Sequence, residues 1–275
     1  MADSKKILVT GMSGIIGGIT GRHLASLGYE VRALNRQPVD GFDCVQADIT
    51  DLDAIRPAFE GIDTVIHLAA YLGGDDEPQF DVNIRGTYNV FEAAGDAGVR
   101  RVIFGSSGAI QVASEKYEPF KAMVEARVDD IPSPRPVMMH TDPPHPNNMY
   151  GVAKIAGEAM ACIYSENQGS AIVARIGRVR IEDRPANARE ATVYFSHRDV
   201  RQFFEKYVDA PADLNWDVFY GVSENFTRFR DISQRQKLSA TSRRTASRAD
   251  RWTTKVSHPG SRDDLAPSCF CVGAG

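Results

Sequence analysis

A glycine-rich turn near the start of the chain restricts the fold more than any other feature of the sequence. The stretch TGMSGIIGG places Gly11, Gly14 and Gly17 between an apolar run, KKILV, and a helix-like run, GGITGRHLASLG. The first glycine permits a tight turn, the second lets the backbone approach a pyrophosphate, and the third allows close helix–strand packing. The N-terminus of the helix would add partial positive charge. This context predicts a dinucleotide-binding unit, with a purely structural turn as the alternative.

Short apolar runs alternate with helix-like stretches through most of the chain. The strand-like runs are KKILVTG, EVRALNR, DTVIHLAA, VRRVIFGSS and SAIVARIG. Such alternation predicts an α/β fold, a Rossmann-type doubly wound parallel sheet with helices on both faces. We expect a dinucleotide-binding domain over 1–175 with a proline-rich insertion at about 113–148, and a small C-terminal substrate lobe over 176–232. The tail, 233–275, is basic and rich in Ser, Thr and Arg, and its composition predicts poor order.

Composition and charge argue against several classes of protein. The net charge is −4, and because the tail carries +5 the preceding residues carry −9. An acidic body argues against a nucleic-acid surface, which needs clustered Lys and Arg. No apolar run approaches the roughly 18–20 residues that cross a bilayer, and no secretory segment is recognisable. Cys44, Cys162, Cys269 and Cys271 lack the spacing of a zinc site or a disulfide framework. We therefore expect a cytoplasmic protein without a metal site, and without nucleic-acid or membrane partners.

The end of the second predicted strand bears on which dinucleotide is bound. An acid is expected there to bind the ribose hydroxyls of NAD, but the sequence offers Asn35 followed by Arg36. Asparagine does not repel a 2′-phosphate and arginine can pair with one, so this dipeptide favours NADP over NAD. Arg36 could equally be a solvated loop residue. Further along, Asp48 could bind the adenine amino group or cap a helix.

Six motifs in order resemble the extended short-chain dehydrogenase/reductase superfamily, the NAD-dependent epimerase/dehydratase family. They are TGMSGIIG, ADI, HLAA, NIRGTYNV, FGSS and YGVAK, and the resemblance covers about residues 5–232. The region from YGVAK through RIG, FSHRDV and VFYGVSEN is similar to the branch of uronate and related aldose dehydrogenases. The resemblance implies an NAD(P)-dependent oxidoreductase of carbohydrate metabolism. It implies cofactor contacts at Gly11, Gly14, Ile15, Ile16, Gly17, Asn35, Arg36, Asp48, Ile49, Leu68, Ala69, Ala70, Tyr150 and Lys154.

Tyr150 and Lys154 stand one helical turn apart and would form the catalytic pair. Oxidising a carbon that bears a hydroxyl requires a base, and a free tyrosine, with a pKa of about 10, is too weakly acidic at neutral pH. The charge of Lys154 on the same helix face, together with that of an oxidised nicotinamide ring, would favour the phenolate. The resemblance implies that Ser107 binds the substrate oxygen, with Ser106 as the competitor, and that Asn83 organises a relay water. Each of these residues alone could instead be structural.

Several positions depart from the uronate dehydrogenase pattern. That family carries Asn-His after the catalytic serine, where this chain has Gly108 and Ala109, and a family serine aligns with Leu72. Arg175 in ARIG matches a substrate-contacting arginine and could bind a carboxylate, or it could tie the sheet edge to the insertion. The tail lacks the Leu-Gly-Tyr-x-Pro motif of relatives. The substrate is thus expected to be a small polyhydroxylated molecule, a sugar or sugar acid, without further definition.

Two rival functions share these motifs. A nucleotide-sugar epimerase or dehydratase would use the same Ser-Tyr-Lys set with tightly bound NAD, but it needs a larger substrate lobe than 176–232 offers. A non-catalytic NADP-binding sensor would typically lose the tyrosine and the lysine, which this chain keeps. The sequence leaves open whether the protein forms a homo-oligomer.

Overall fold

The computed structural model describes residues 5–234, all within one compact unit. In this range seven strands form one parallel sheet in the order β3-β2-β1-β4-β5-β6-β7. Their bounds are β1 Lys6–Thr10, β2 Glu30–Asn35, β3 Asp43–Gln46, β4 Thr64–His67, β5 Arg101–Ser107, β6 Ser170–Ile176 and β7 Trp216–Gly221. The order reverses direction at β1 and β4, which is where ligands bind in open α/β sheets. The predicted Rossmann-type doubly wound sheet is confirmed.

Helices cover both faces of the sheet. The α-helices are α1 Ile15–Ser26, α2 Leu52–Ile55, α3 Asp76–Pro78, α4 Thr87–Asp96, α5 Phe120–Val124, α6 Met149–Asn167, α7 Ala188–Val193 and α8 His197–Val208. The 3-10 segments are Arg56–Phe59, Gly108–Lys116 and Val128–Asp130, and Gln79–Gly86 is a π-helix. Within this range no helix is both long and apolar enough to span a bilayer.

The central strands are buried on both faces, which explains their continuous apolar runs. Successive side chains of β1 point to opposite faces, so Ile7 and Val9 join one core cluster and Leu8 joins the other. The first cluster includes Phe203 and Tyr207 of α8, and the second includes Tyr164 of α6. The two-faced core fixes the register of the strands and thereby the position of their carboxyl ends.

Two local features differ from the sequence-based expectation. Strand β3 was not predicted, because its sequence, DCVQ, is short and contains no apolar run. The strand lies at the edge of the sheet, where it pairs with β2 and need not be apolar. The helix-like stretch DLDAIRPAFEG is not one continuous helix but α2 followed by a 3-10 turn. Pro57 has no backbone N–H to donate, which disfavours a continuous α-helix at this point.

The segment 176–232 contributes both to the sheet and to its surroundings. Strand β7 pairs with β6 along its whole length, and α8 contacts α1 on one face. The rest of the segment packs with the proline-rich insertion in a small separate core, which includes Met123, Met138 and Phe229. From Ile131 to Asn148 the insertion has no helix or strand beyond a bridge between Met138 and Arg230. Apart from Ser233 and Gln234, the tail lies outside the described residues.

Candidate active site

A cleft of about 1700 Å³ runs along the carboxyl ends of the strands. It exceeds the roughly 300–1,000 Å³ of a site for one drug-sized ligand, so a dinucleotide and a small substrate can share it. All fourteen residues predicted to contact the cofactor line it: Gly11, Gly14, Ile15, Ile16, Gly17, Asn35, Arg36, Asp48, Ile49, Leu68, Ala69, Ala70, Tyr150 and Lys154. Ser107 also lines this cleft, whereas Asn83 and Arg175 do not.

The glycine turn has the shape that a pyrophosphate requires. Gly11 has a φ of +68°, and a Cβ there would lie 2.7 Å from the backbone of Ala69. A Cβ on Gly17 would lie 2.5 Å from the carbonyl oxygen of Gly11. Helix α1 starts after Gly14 without a side-chain cap and without an acidic residue in its first turn. Its first N–H groups and its dipole therefore remain available to an anion, so these residues fit a dinucleotide phosphate.

The far end of the cleft carries the residues expected around the adenosine. The Asn35 Oδ1 accepts a hydrogen bond from the Ser13 hydroxyl at 3.1 Å, and its amide donates to the Gln37 carbonyl at 2.8 Å. Arg36, next to it, is exposed. Asp48 accepts from the Thr50 N–H and hydroxyl, whereas the cap of α2 is Asp51, which accepts from the Ala54 N–H. The structure thus removes helix capping as the role of Asp48.

A buried relay of hydrogen bonds shapes the strand ends beneath the cleft. The Thr10 hydroxyl oxygen accepts from the N–H groups of Leu68 and Ala69 and lies 2.7 Å from the His67 Nδ1. The His67 Nε2 lies 3.1 Å from the Thr87 hydroxyl. Burial, followed by the charge of Lys154, lowers the pKa of His67 to about 3. A neutral imidazole therefore holds the HLAA segment against β1.

Ser107, Tyr150 and Lys154 meet at the inner end of the cleft. Helix α6 starts at Met149 because Asn148 caps it, accepting from the Gly151 N–H at 2.9 Å. Tyr150 thus lies in the first turn, where the Ser107 side chain interacts with its phenol. The Lys154 Nζ lies 5.6 Å from the Tyr150 ring centroid and donates to the Gly105 carbonyl at 2.9 Å. The structure thus places three of the four predicted catalytic residues in the cleft, and Asn83, the fourth, does not line it.

Burial dominates the electrostatics of Tyr150 and Lys154 in the absence of the nicotinamide charge that the sequence-based prediction also invokes. Burial raises the pKa of Tyr150, and the hydrogen bond from Ser107 offsets this only in part. Burial also lowers the pKa of Lys154 to about 8. Lys154 faces the Tyr150 ring and a backbone carbonyl, so its charge does not outweigh the cost of burying a phenolate. A lowered tyrosine pKa is therefore not a property of these protein groups alone.

Ser106 and Arg175 belong to a buried network behind the cleft. The Ser106 hydroxyl donates to Glu158 at 2.5 Å, which leaves Ser107 as the serine beside Tyr150. Arg175 donates from Nε and Nη2 to both oxygens of Glu158 and from Nη1 to the His140 carbonyl. These bonds use all three nitrogens of the guanidinium and tie β6 to α6 and to the insertion. The geometry therefore supports the structural alternative for Arg175 and not the substrate contact.

Asn83 lies in the π-helix and is 1% exposed. Its Oδ1 accepts from the Tyr71 N–H at 2.8 Å, and its Nδ2 donates to the carbonyl of Tyr71 and to Gln79. Tyr71 itself lines the cleft. Asn83 therefore fixes the loop after β4, while its role towards a relay water stays a prediction.

The sequence analysis missed a group of charged residues at the substrate end of the cleft. They come from the 3-10 segment after β5 and from the segment that follows β6: Glu115, Arg178, Arg180, Glu182, Arg189 and Arg230. None stands in a local motif, so the only sequence signal was the concentration of arginines in RIGRVRIEDRPANARE and RFR. Among the described residues, no three His, Cys, Asp or Glu side chains cluster as metal ligands would.

Comparisons with known proteins identify the family of this chain. The family model "NAD dependent epimerase/dehydratase family" matches residues 7–180. The NAD-dependent glucose-6-phosphate dehydrogenase of Haloferax volcanii is 31% identical, over 83% of this chain and 88% of the relative. The L-arabinose 1-dehydrogenase (NAD(P)(+)) of the same organism is 32% identical, over 83% of this chain and 92% of the relative.

A solved structure gives the same assignment. A mutant of uronate dehydrogenase from Agrobacterium tumefaciens, complexed with NAD, superposes with a TM-score of 0.73 at 29% identity, covering 86% of this chain and 83% of that one. The chain therefore belongs to the NAD-dependent epimerase/dehydratase family, as an extended short-chain dehydrogenase/reductase near the uronate dehydrogenases.

Proposed function

We propose that the protein oxidises a hydroxyl of a sugar or sugar acid with NAD(P), or reduces the corresponding carbonyl. This proposal rests on one observation: Ser107, Tyr150 and Lys154 lie together in the same cleft as the glycine turn. The names of the relatives, which are dehydrogenases of glucose 6-phosphate, arabinose and uronate, support a carbohydrate substrate.

Each residue has a defined task in this reaction. Gly11, Gly14, Gly17 and the start of α1 hold the dinucleotide phosphates, and the nicotinamide supplies or accepts the hydride when it is bound. Ser107 donates a hydrogen bond to the substrate oxygen and orients the bond to be broken. Tyr150 Oη accepts the hydroxyl proton during oxidation and returns it during reduction.

Lys154 completes the set through charge. It is 3% exposed, and with a pKa of about 8 it remains mostly protonated at pH 7. Its ammonium stabilises negative charge developing on Tyr150 in a site from which water is excluded. It can also donate to the nicotinamide ribose, since the Gly105 carbonyl uses only one of its three N–H groups.

For the cofactor, we infer a preference for NADP over NAD. Asn35 brings no carboxylate to the position where a 2′-phosphate would sit, and Arg36 is exposed beside it. A phosphate oxygen can take a bidentate hydrogen bond from this guanidinium. The relatives named above use NAD or NAD(P), which supports a nicotinamide cofactor of either kind.

The test is a panel of aldoses, aldose phosphates and uronates, each offered with NAD and with NADP and read at the reduced-nicotinamide absorbance. We expect turnover of at least one sugar, and a reduction of roughly 10²–10⁴-fold in kcat for Tyr150→Phe at unchanged cofactor affinity. The matched control is Tyr88→Phe, because Tyr88 lies on α4 with 47% of its surface exposed and outside the cleft.

Two results would contradict the proposal. Equal turnover in Tyr150→Phe and the unmodified protein would remove the proton-transfer role of Tyr150. No turnover on any sugar, with dinucleotide retained through purification, would instead favour an epimerase or dehydratase.

A further inference from the structure

Arg230 brings a buried guanidinium to the residue that follows the candidate substrate anchor. It lies beyond β7, is 1% exposed and lines the cleft. Its Nη2 donates to the Gly108 carbonyl at 3.2 Å. A Cβ on Gly108 would lie 3.3 Å from Nη2 and 3.4 Å from Nε. The Nε–Nη2 edge of the guanidinium therefore faces Gly108, directly after Ser107.

Within residues 5–234, Nε is the part of that edge that no hydrogen bond uses, since Nη2 also donates to the Glu115 Oε1 at 3.5 Å. Its Nη1 contacts the Gln111 Oε1 at 3.3 Å and the Met138 Sδ at 3.0 Å, both uncharged. Among the described residues, Nε has no hydrogen-bond partner although it is buried. Unsatisfied buried donors are costly and uncommon, so this one calls for an acceptor that occupies the cleft.

The charge around Arg230 is also incomplete. The carboxylate nearest to it is Glu115, at 3.5 Å from Nη2. The other oxygen of Glu115 accepts from the Nε of Arg189 at 2.6 Å. Within the described part of the chain, Glu115 thus serves two arginines, and this corner of the cleft has an excess positive charge. Burial lowers the pKa of Arg230, so the charged form gains from a further anion.

We propose that Arg230 is a specificity-determining residue that binds an oxyanion of the substrate, a carboxylate or a phosphate, through Nε and through the Nη2 N–H that otherwise makes the 3.5 Å contact with Glu115. This inference rests on the proposed function and narrows its substrate class to anionic sugars. A planar fork of two N–H groups matches two oxygens of one oxyanion, which a neutral sugar does not offer. Because Gly108 has no side chain, the space in front of this edge stays open to the substrate.

The experiment compares glucose, glucuronate and glucose 6-phosphate in two measurements. The first is kcat/KM with saturating cofactor, and the second is calorimetric binding of each sugar to the cofactor-saturated protein. We expect the unmodified protein to favour one anionic sugar over glucose at least tenfold in both measurements. Which of the two anions it favours distinguishes a carboxylate from a phosphate ligand.

Two variants test the residue itself. Arg230→Gln should reduce the anionic-to-neutral ratio at least tenfold. Since Arg230 is buried and the substitution could unfold the protein, Gly108→Ala provides an independent test, because its Cβ obstructs the Nε–Nη2 edge and leaves Arg230 in place. It should lower the same ratio. Arg198→Gln is the control, because Arg198 is exposed on α8 outside the cleft.

Defined outcomes would overturn the inference. They are a preference for glucose in the unmodified protein, or equal losses on neutral and anionic sugars in both variants. If no sugar is turned over, the proposed function is wrong. The ratio of anionic to neutral sugar binding, measured by calorimetry, still shows whether Arg230 binds an oxyanion.

Discussion

At the scale of single residues, burial does more than the nearest charges to set the chemistry of the site. Tyr150 and Lys154 both lie in surroundings that penalise their ionised forms, which raises one pKa and lowers the other. The free-energy cost of a phenolate–ammonium pair is therefore high until further charges enter the cleft. In the proposed reaction, proton transfer would therefore depend on ligands being in place.

His67 offers a pH-dependent test of the relay beneath the cleft. Its folded pKa of about 3 lies below the unfolded value of 6.5, so only the unfolded chain takes up a proton between these values. The contribution of His67 to stability is complete above pH 6.5 and declines as the pH falls towards 3. Between pH 7 and pH 5 the unmodified protein should lose roughly 2 kcal/mol relative to His67→Gln. Urea denaturation at both pH values measures this difference.

The control for this prediction is His145→Gln, because His145 is exposed in the insertion. It should track the unmodified protein at both pH values. If the difference between the unmodified protein and His67→Gln were the same at pH 7 and pH 5, His67 would not be held neutral by the fold.

At the scale of elements, helix α6 connects the chemistry to the scaffold. Tyr150, Lys154 and Glu158 follow one another at four-residue intervals and so lie along one face of the helix. The first two reach the cleft, while Glu158 binds Ser106 of β5 and Arg175 of β6. The same face that presents the proposed base is thus fixed to two neighbouring strands, which limits rotation of the helix.

The junction of β1 and α1 gives a steric prediction at this scale. In Gly17→Ala the new Cβ would lie 2.5 Å from the Gly11 carbonyl oxygen and 2.7 Å from the Met12 Cα, and both are backbone atoms. The turn must shift, so we expect dinucleotide affinity to fall at least tenfold and stability to fall by about 1–3 kcal/mol. Calorimetric titration with NAD and NADP, and thermal unfolding, measure the two effects.

The adjacent glycine is a matched control. A Cβ on Gly18 would meet nothing closer than the Met12 carbonyl oxygen at 3.5 Å, an ordinary contact. Gly18→Ala should keep cofactor affinity and gain up to about 1 kcal/mol, because alanine favours a helix over glycine. Equal losses in both variants would show that general packing of α1, and not the turn, decides the binding.

The sequence predicts the main strands and helices, but it does not predict every residue that lines the site. The sheet, α1, α6 and the cofactor residues follow from glycines, apolar runs and strand ends, which are local signals. Strand β3 has no such signal, because an edge strand need not be apolar. Arg175 lies at the end of β6 and Arg230 follows β7, and only the folded chain shows that Arg230 lines the cleft and Arg175 does not. Gly108 and Arg230 are more than a hundred residues apart in the sequence, so no local spacing predicts that they contact each other.

At the scale of the whole molecule, the carboxyl ends and the amino ends of the strands have different roles. The cleft lies at the carboxyl ends of the strands. A fully buried arginine, Arg101, lies at the opposite side of the sheet, at the amino end of β5. Its guanidinium donates to the carbonyls of Tyr207, Ala210, Pro211 and Leu214 at 2.7–3.4 Å. These carbonyls lie at the end of α8 and in the loop before β7. Arg101 therefore fastens the segment after β6 to the sheet, far from the chemistry.

This separation leads to a prediction that distinguishes stability from binding. Arg101→Met leaves four carbonyls without their donor, so we expect the free energy of unfolding to fall by roughly 3–5 kcal/mol. Arg100→Met is the matched control, since Arg100 pairs with Asp63 near the surface, and such pairs contribute about 1 kcal/mol or less. Urea denaturation measures both, and calorimetry at low temperature should find cofactor affinity unchanged in each. Weaker cofactor binding by folded Arg101→Met would show that a change at the amino ends of the strands affects the cleft at their carboxyl ends.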